Sequence, residues 1–168
     1  MRNSILILLL LVFASCGKQK PQLPSNKQFA NDSTTQLLQE INRRLIAEED
    51  TYLQEYVTAN YPKMQKTEVG IYYLPAGERN NEGSTINHDE INISYQLYDL
   101  NGTLLYSTAN QKFKFGKQEL PVGLEQALKT VQRGDSSEFI IPWYLAYGSD
   151  GNEHISGFTS IRVQMSVW

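Results

Sequence analysis

Residues 116–151 read GKQELPVGLEQALKTVQRGDSSEFIIPWYLAYGSDG, and the changes of period inside this stretch decide the fold. Pro121 suits the first turn of a helix, where its missing N–H is not needed. Leu124, Leu128 and Val131 then share one helical face, and Gly134 closes the pattern. Phe139, Ile140 and Ile141 form an apolar strand that stops at Pro142. Trp143 and Tyr144 read equally as sheet-edge packing or as ligand contacts, and Leu120, Leu124 and Leu128 read equally as core. Tyr147 leans toward function. Gly148 and Gly151 let the chain turn there, on a flexible loop beside a rigid strand.

Outward from this stretch the period is two. A short strand spans residues 70–74, and residues 75–84 are a polar loop. Ile91, Ile93, Tyr95 and Leu97 alternate with polar residues, Asp99 to Gly102 is a turn by its chemistry, and residues 103–106 return. Phe113 and Phe115 alternate again, and Ile161, Val163, Met165 and Val167 form the last strand. Strands, one central helix and two more strands predict an α+β domain, a curved antiparallel sheet wrapped around one helix.

An amphipathic helix precedes this domain. Ser33 and Gln36 have capping-box spacing, and Leu37, Leu38, Ile41, Leu45, Tyr52, Leu53, Tyr56 and Val57 recur at helical intervals until Pro62. Glu40 with Arg44, and Arg44 with Glu48, give i,i+4 pairs. Glu48 and Glu49 interrupt the apolar stripe, which argues against a long coiled coil. The helix either docks on its own domain or, over residues 33–60, pairs two copies as a homodimer.

The N-terminus reads as a targeting segment. Arg2 and the apolar run 5–13 are too short to span a bilayer, and Ala14 and Ser15 lead to Cys16, the single cysteine of the chain. FASC resembles the lipobox of bacterial lipoproteins, which implies cleavage before Cys16 and acylation of its sulfur and amino group. Several acyl chains, at about 0.8 kcal/mol per buried CH2, make a stable membrane anchor. Residues 16–32 are a tether rich in Pro, Gln, Asn and Ser, too poor in large apolar groups to fold. Gly17-Lys18-Gln19-Lys20 carries no acidic sorting residue after the cysteine, which by the same resemblance favours the periplasmic face of the outer membrane. The domains are therefore 1–15 signal peptide, 16–32 tether, 33–66 helix and 67–168 folded domain.

With 15 Lys and Arg against 18 Asp and Glu, no basic field argues for a nucleic-acid partner. His88 and His154 sit in polar loops, and no HExxH, Cys-His or Ser-His-Asp constellation occurs. No metal or cofactor is expected.

The order Gly turn, Leu120-Pro121, Gly123-Leu124, amphipathic helix, Gly134-Asp135, strand, Pro142 and Ala146-Tyr147-Gly148 resembles the FKBP-type peptidyl-prolyl isomerases. ISYQLYDLNGTLLYST, residues 93–108, is similar to that family's tyrosine strand, Asp-Gly turn and following strand. With the lipobox and the helix, the chain resembles FKBP-type lipoproteins of gliding bacteria.

The resemblance implies an FKBP-like fold and a proline pocket. Tyr147, Tyr95 and Leu124 take the catalytic positions, with Leu124 on the floor where many members carry Trp and the Tyr147 hydroxyl bonding a substrate carbonyl. Phe113, Phe115, Leu120, Pro121, Ile155 and Val163 take substrate-binding positions. Leu105 and Tyr106 replace the family's Phe-Asp pair, and Ser156-Gly157 its Pro-Pro, which argues against macrolide binding. The implied function is a lipid-anchored isomerase acting on exported proteins with Xaa-Pro bonds. The alternative is a weakly active or inactive FKBP-fold chaperone, or an assembly subunit of a secretion or motility apparatus. A Tyr106 ring filling the space beside Tyr147 would favour the alternative.

Overall fold

A computed structural model describes residues 33–75, 90–114, 117 and 120–168. Cys16, the tether, His88 and Phe115 therefore lie outside the described residues. The element order is α1 (Ser33–Asn60), β1 (Gln65–Lys66), β2 (Tyr72–Tyr73), β3 (Glu90–Tyr98), β4 (Leu104–Lys114), α2 (Val122–Leu128), β5 (Ser136–Ile141) and β6 (Ile161–Val167). The six strands make one antiparallel sheet in the order β1-β2-β5-β6-β3-β4. Helix α1 crosses from a first unit ending at Ile41 into the unit Asn42–Trp168.

Strand alternation divides the sheet into two working faces. On the inner face Ile91, Ile93, Tyr95, Leu97, Phe139, Ile141, Ile161, Val163 and Met165 form one core with Leu124, Ala127 and Leu128 of α2. On the outer face Tyr72 and Ile140 pack with Leu53 and Val57 of α1, closed over by Tyr56, Tyr61, Met64 and Leu100. The Tyr56 hydroxyl donates to the Leu100 carbonyl at 2.6 Å. Alongside, Arg162 pairs with Glu138 at 2.6 Å and lies over the Tyr98 ring. Of the two readings of the helix, docking on its own domain describes residues 42–60. Leu37, Leu38 and Ile41, in the first unit, are exposed.

Several boundaries differ from the sequence reading. The sheet begins at Gln65, two residues before the boundary read at 67, because Gln65–Lys66 pairs with Tyr72–Tyr73 across a turn in which Thr67 N–H donates to the Ile71 carbonyl. Strand β2 covers only Tyr72–Tyr73 of the expected 70–74, since Gly70 has φ 103° and is part of that turn. The expected return strand 103–106 and the Phe113 strand are one element, β4. Its continuity is kept by irregular pairing near Ser94, whose hydroxyl accepts the N–H of Asn110 at φ 54°. Helix α2 ends at Leu128, so Val131 is buried just beyond it, and Gly134 (φ 88°) closes the following turn rather than the helix.

Leu53 is fully buried on the outer face, whereas Tyr52 beside it is half exposed. Leu53→Ala should destabilise residues 42–168 by about 2–4 kcal/mol, the usual loss for a buried Leu plus its cavity. Urea unfolding followed by circular dichroism measures this, and Tyr52→Ala should cost under about 1 kcal/mol.

Candidate functional site

The site is built where the first turn of α2 meets the turn after β5. Gly123 N–H donates to the Leu145 carbonyl at 2.7 Å, and a side chain at 123 would run into Ile141 and, at 2.8 Å, the same carbonyl oxygen. Only glycine lets the two segments close. Leu124, next in sequence, then goes into the core. Residues 142–148 fold back on themselves: the Pro142 carbonyl accepts from Leu145 and Ala146, and the Trp143 carbonyl from Gly148 at 2.9 Å. Gly148 and Gly151 both have φ 70°, and a side chain at 151 would strike the Ile155 carbonyl and the Gly157 nitrogen. Asn152 Oδ1 accepts from the N–H groups of His154 and Ile155, which fixes the return of the loop.

These constraints gather three tyrosines and a histidine. Tyr95 and Tyr106 have ring centroids 5.9 Å apart, and His154 stacks on Tyr106 at 5.4 Å. Tyr147, Tyr106 and Leu105 are half-buried and pack against the inner core. Burial pushes the Tyr147 hydroxyl up to about 12, with the Tyr106 phenol adding to the effect. Burial likewise holds the Tyr95 phenol far above its ordinary value, assisted by Tyr147 and Tyr106. All of this favours neutral O–H groups, which can donate hydrogen bonds.

The expected site residues divide into two layers. Tyr95, Tyr106 and Tyr147 form the aromatic layer, with Pro121 half-exposed at the start of α2. Phe113, Leu120, Leu124, Ile155 and Val163 form the apolar layer of the inner core. Leu124 and Val163 are 0% exposed and Phe113 1%, so in this arrangement they support the site from below and do not line an open surface. Trp143 and Tyr144 follow the packing reading: Trp143 is buried edge-on to Phe158 at 4.8 Å. Sequence reasoning set His154 aside as a polar-loop residue. Its neighbour Ile155, already expected at the site, was the available signal.

A groove of about 720 Å³ lies over the polar side chains Ser94, Gln96, Ser136, Glu138 and Gln164. Of the expected site residues only Tyr95 borders it, and that ring belongs to the inner core. The candidate site is the aromatic layer, where donors and apolar side chains meet. Among the described residues no group of three or more His, Cys, Asp or Glu could hold a metal, and no helix is long and apolar enough to cross a membrane.

Comparison with known proteins fits this geometry. Residues 82–161 match the family model of the FKBP-type peptidyl-prolyl cis-trans isomerases. The fold is similar to the crystal structure of FkpA from Escherichia coli, with TM-score 0.59 and 15% identity over 99% of this chain and 80% of that one. It is also similar to a peptidyl-prolyl cis-trans isomerase from Pseudomonas syringae pv. tomato, with TM-score 0.59 and 19% identity over 74% of this chain and 92% of that one. Residues 82–161 thus carry the match to that family, and the match supports peptidyl-prolyl cis-trans isomerisation as the activity.

An ordinary phenol would lose its donor proton with a midpoint near its usual value of about 10. Because the folded-state value of Tyr147 lies higher, the donor persists as pH rises through that range. Isomerase kcat should therefore stay flat from about pH 7 to pH 10, with circular dichroism confirming the fold. A decline centred on the ordinary phenol value would show Tyr147 to be freely solvated.

Proposed function

With the FKBP-type isomerase domain as premise, we propose that this protein is a lipid-anchored isomerase that accelerates Xaa-Pro isomerisation in exported proteins. The observation that carries the catalytic part is the Tyr147 side chain, held by a hydrogen-bonded turn against an apolar core. Rotation about the prolyl amide must overcome about 18–20 kcal/mol of lost conjugation. No covalent bond forms or breaks. The twisted amide is less polar than the planar one, so apolar surroundings favour it. A tyrosine donor on the flanking carbonyl holds the peptide in the reactive turn.

The cellular part rests on the N-terminal sequence. Arg2, the apolar run, Ala14-Ser15-Cys16 and the polar tether support lipidation at Cys16 and residence at the periplasmic face of the outer membrane. The same features support the resemblance to the gliding-bacteria lipoproteins. The exposed Leu37, Leu38 and Ile41 on the first turns of α1 support pairing of two copies through residues 33–60.

A specific observation favours a second reading. Tyr106 adds to the upward shift of the Tyr147 hydroxyl, and its ring lies tilted 5.9 Å from Tyr95 and stacked on His154. Such a filled aromatic layer suits a chaperone or assembly subunit that grips a segment without turning it over quickly.

NMR exchange on a short Xaa-Pro peptide separates the two. Catalysis should appear, and Tyr147→Phe should lower kcat/KM about 2- to 12-fold, the ~0.5–1.5 kcal/mol of one neutral hydrogen bond. No exchange above background from folded protein would select the binding role. Mass spectrometry of the native protein should show residues 1–15 removed and Cys16 carrying acyl groups. An unmodified Cys16 would remove the anchor.

A further inference from the structure

Helix α1 reaches the turn of residues 142–148 through two carboxylates, one directly and one through Ser160. Asp50 Oδ1 accepts the Tyr144 hydroxyl at 2.6 Å, and the Lys66 ammonium lies 3.6 Å from the same oxygen. One residue earlier, Glu49 Oε1 accepts the Ser160 hydroxyl at 2.5 Å. Ser160 Oγ in turn accepts the backbone N–H of Trp143 at 2.8 Å, and Ser160 is a buried polar side chain. The carbonyl of that same Trp143 receives the N–H groups of Ala146 and Gly148, the two residues flanking Tyr147. The anchored end of the turn is thus one peptide unit from the hydrogen bonds that set where Tyr147 stands.

We propose that Glu49 and Asp50 of the accessory helix are positioning residues for isomerisation, holding the turn of residues 142–148 so that Tyr147 stands over the proline site. This rests on the isomerase reading above. Neither carboxylate touches substrate. They act through Ser160, the Trp143 peptide and Tyr144. Each contact joins residues far apart in sequence, 111 positions for Glu49 and Ser160 and 94 for Asp50 and Tyr144, so no local preference of the chain accounts for them. A catalytic group displaced by ~1 Å can cost about a hundredfold in rate, so a partial loosening of this anchor has a measurable effect.

The experiment compares the protein with Tyr144→Phe, Asp50→Ala, Asp50→Asn and the double variant Asp50→Ala/Tyr144→Phe. It reads kcat and KM on an Xaa-Pro peptide and urea stability. Tyr144→Phe and Asp50→Ala should each lower kcat about 3- to 10-fold with KM within about twofold, and the double variant should fall no further than either single one. Asp50→Asn keeps an acceptor oxygen and should recover most of kcat. Unchanged kcat in folded Tyr144→Phe and Asp50→Ala overturns the proposal, as does a loss that disappears on correction for the folded fraction. If Asp50→Ala fails to fold, Tyr144→Phe decides alone. If the unsubstituted protein shows no catalysis, the isomerase reading fails. The NMR ring signals of 13C-labelled Tyr147 then decide: movement in Tyr144→Phe supports the anchor, and unmoved signals refute it.

Discussion

The close approach of Gly123 to the backbone of Leu145 is the constraint from which the rest of the site follows. One N–H to carbonyl bond of 2.7 Å joins the first turn of α2 to the turn after β5, with no space between them for a methyl group. Because α2 cannot retreat, Leu124, Ala127 and Leu128 are driven onto the inner face of the sheet. Because the turn cannot retreat either, Tyr147 stays at the rim of that core. An apolar floor and a polar rim are thus fixed by a single backbone contact, and packing density converts that contact into position for everything beside it.

The second organising fact is that β5 serves both faces. Phe139 and Ile141 belong to the inner core, whereas Ile140 between them belongs to the outer one with Leu53 and Val57 of α1. Continuous hydrophobicity at residues 139–141 is the mark of a strand covered on both sides. The turn of residues 142–148 leaves from the end of this doubly covered strand. Its position is therefore set by α2 on one side and by α1 on the other. The accessory helix is part of the wall behind the site.

Much of this was legible in the sequence. The two-residue alternation from Ile91 to Leu97 and from Ile161 to Val167, with Pro121 and the Gly148/Gly151 pair, placed the inner face and the loop, because each signal is local. What could not be read was long-range. Phe113 and Val163 were expected to line a pocket and are instead sealed within the core, since alternation says which face a residue takes but not what lies above it. The length of β4 was missed because an irregular pairing at Ser94 carries the strand past a break in its period. His154 joined the aromatic layer through an Asx turn that sequence spacing alone does not aim. Glu49 reads in sequence as an interruption of the apolar stripe of α1, and Asp50 beside it carries no sequence signal. Both are partly buried where they meet Ser160 and Tyr144.

The two carboxylates are not there for stability. A half-buried carboxylate gives up hydration, and its hydrogen bonds return little net stability. Apolar side chains at 49 and 50 would extend the stripe of Leu53 and Val57 and would stabilise the docked helix at least as well, as substitution of buried polar pairs elsewhere suggests. What apolar residues cannot supply is direction. Van der Waals contact tolerates sliding, whereas an O–H to carboxylate bond of 2.5–2.6 Å fixes both distance and angle. For the proposed reaction, with no nucleophile and no proton to transfer, the placement of Tyr147 relative to an apolar floor would be most of the chemistry. Stability alone would favour a greasier helix. A requirement for placement accounts for two acids on its buried side.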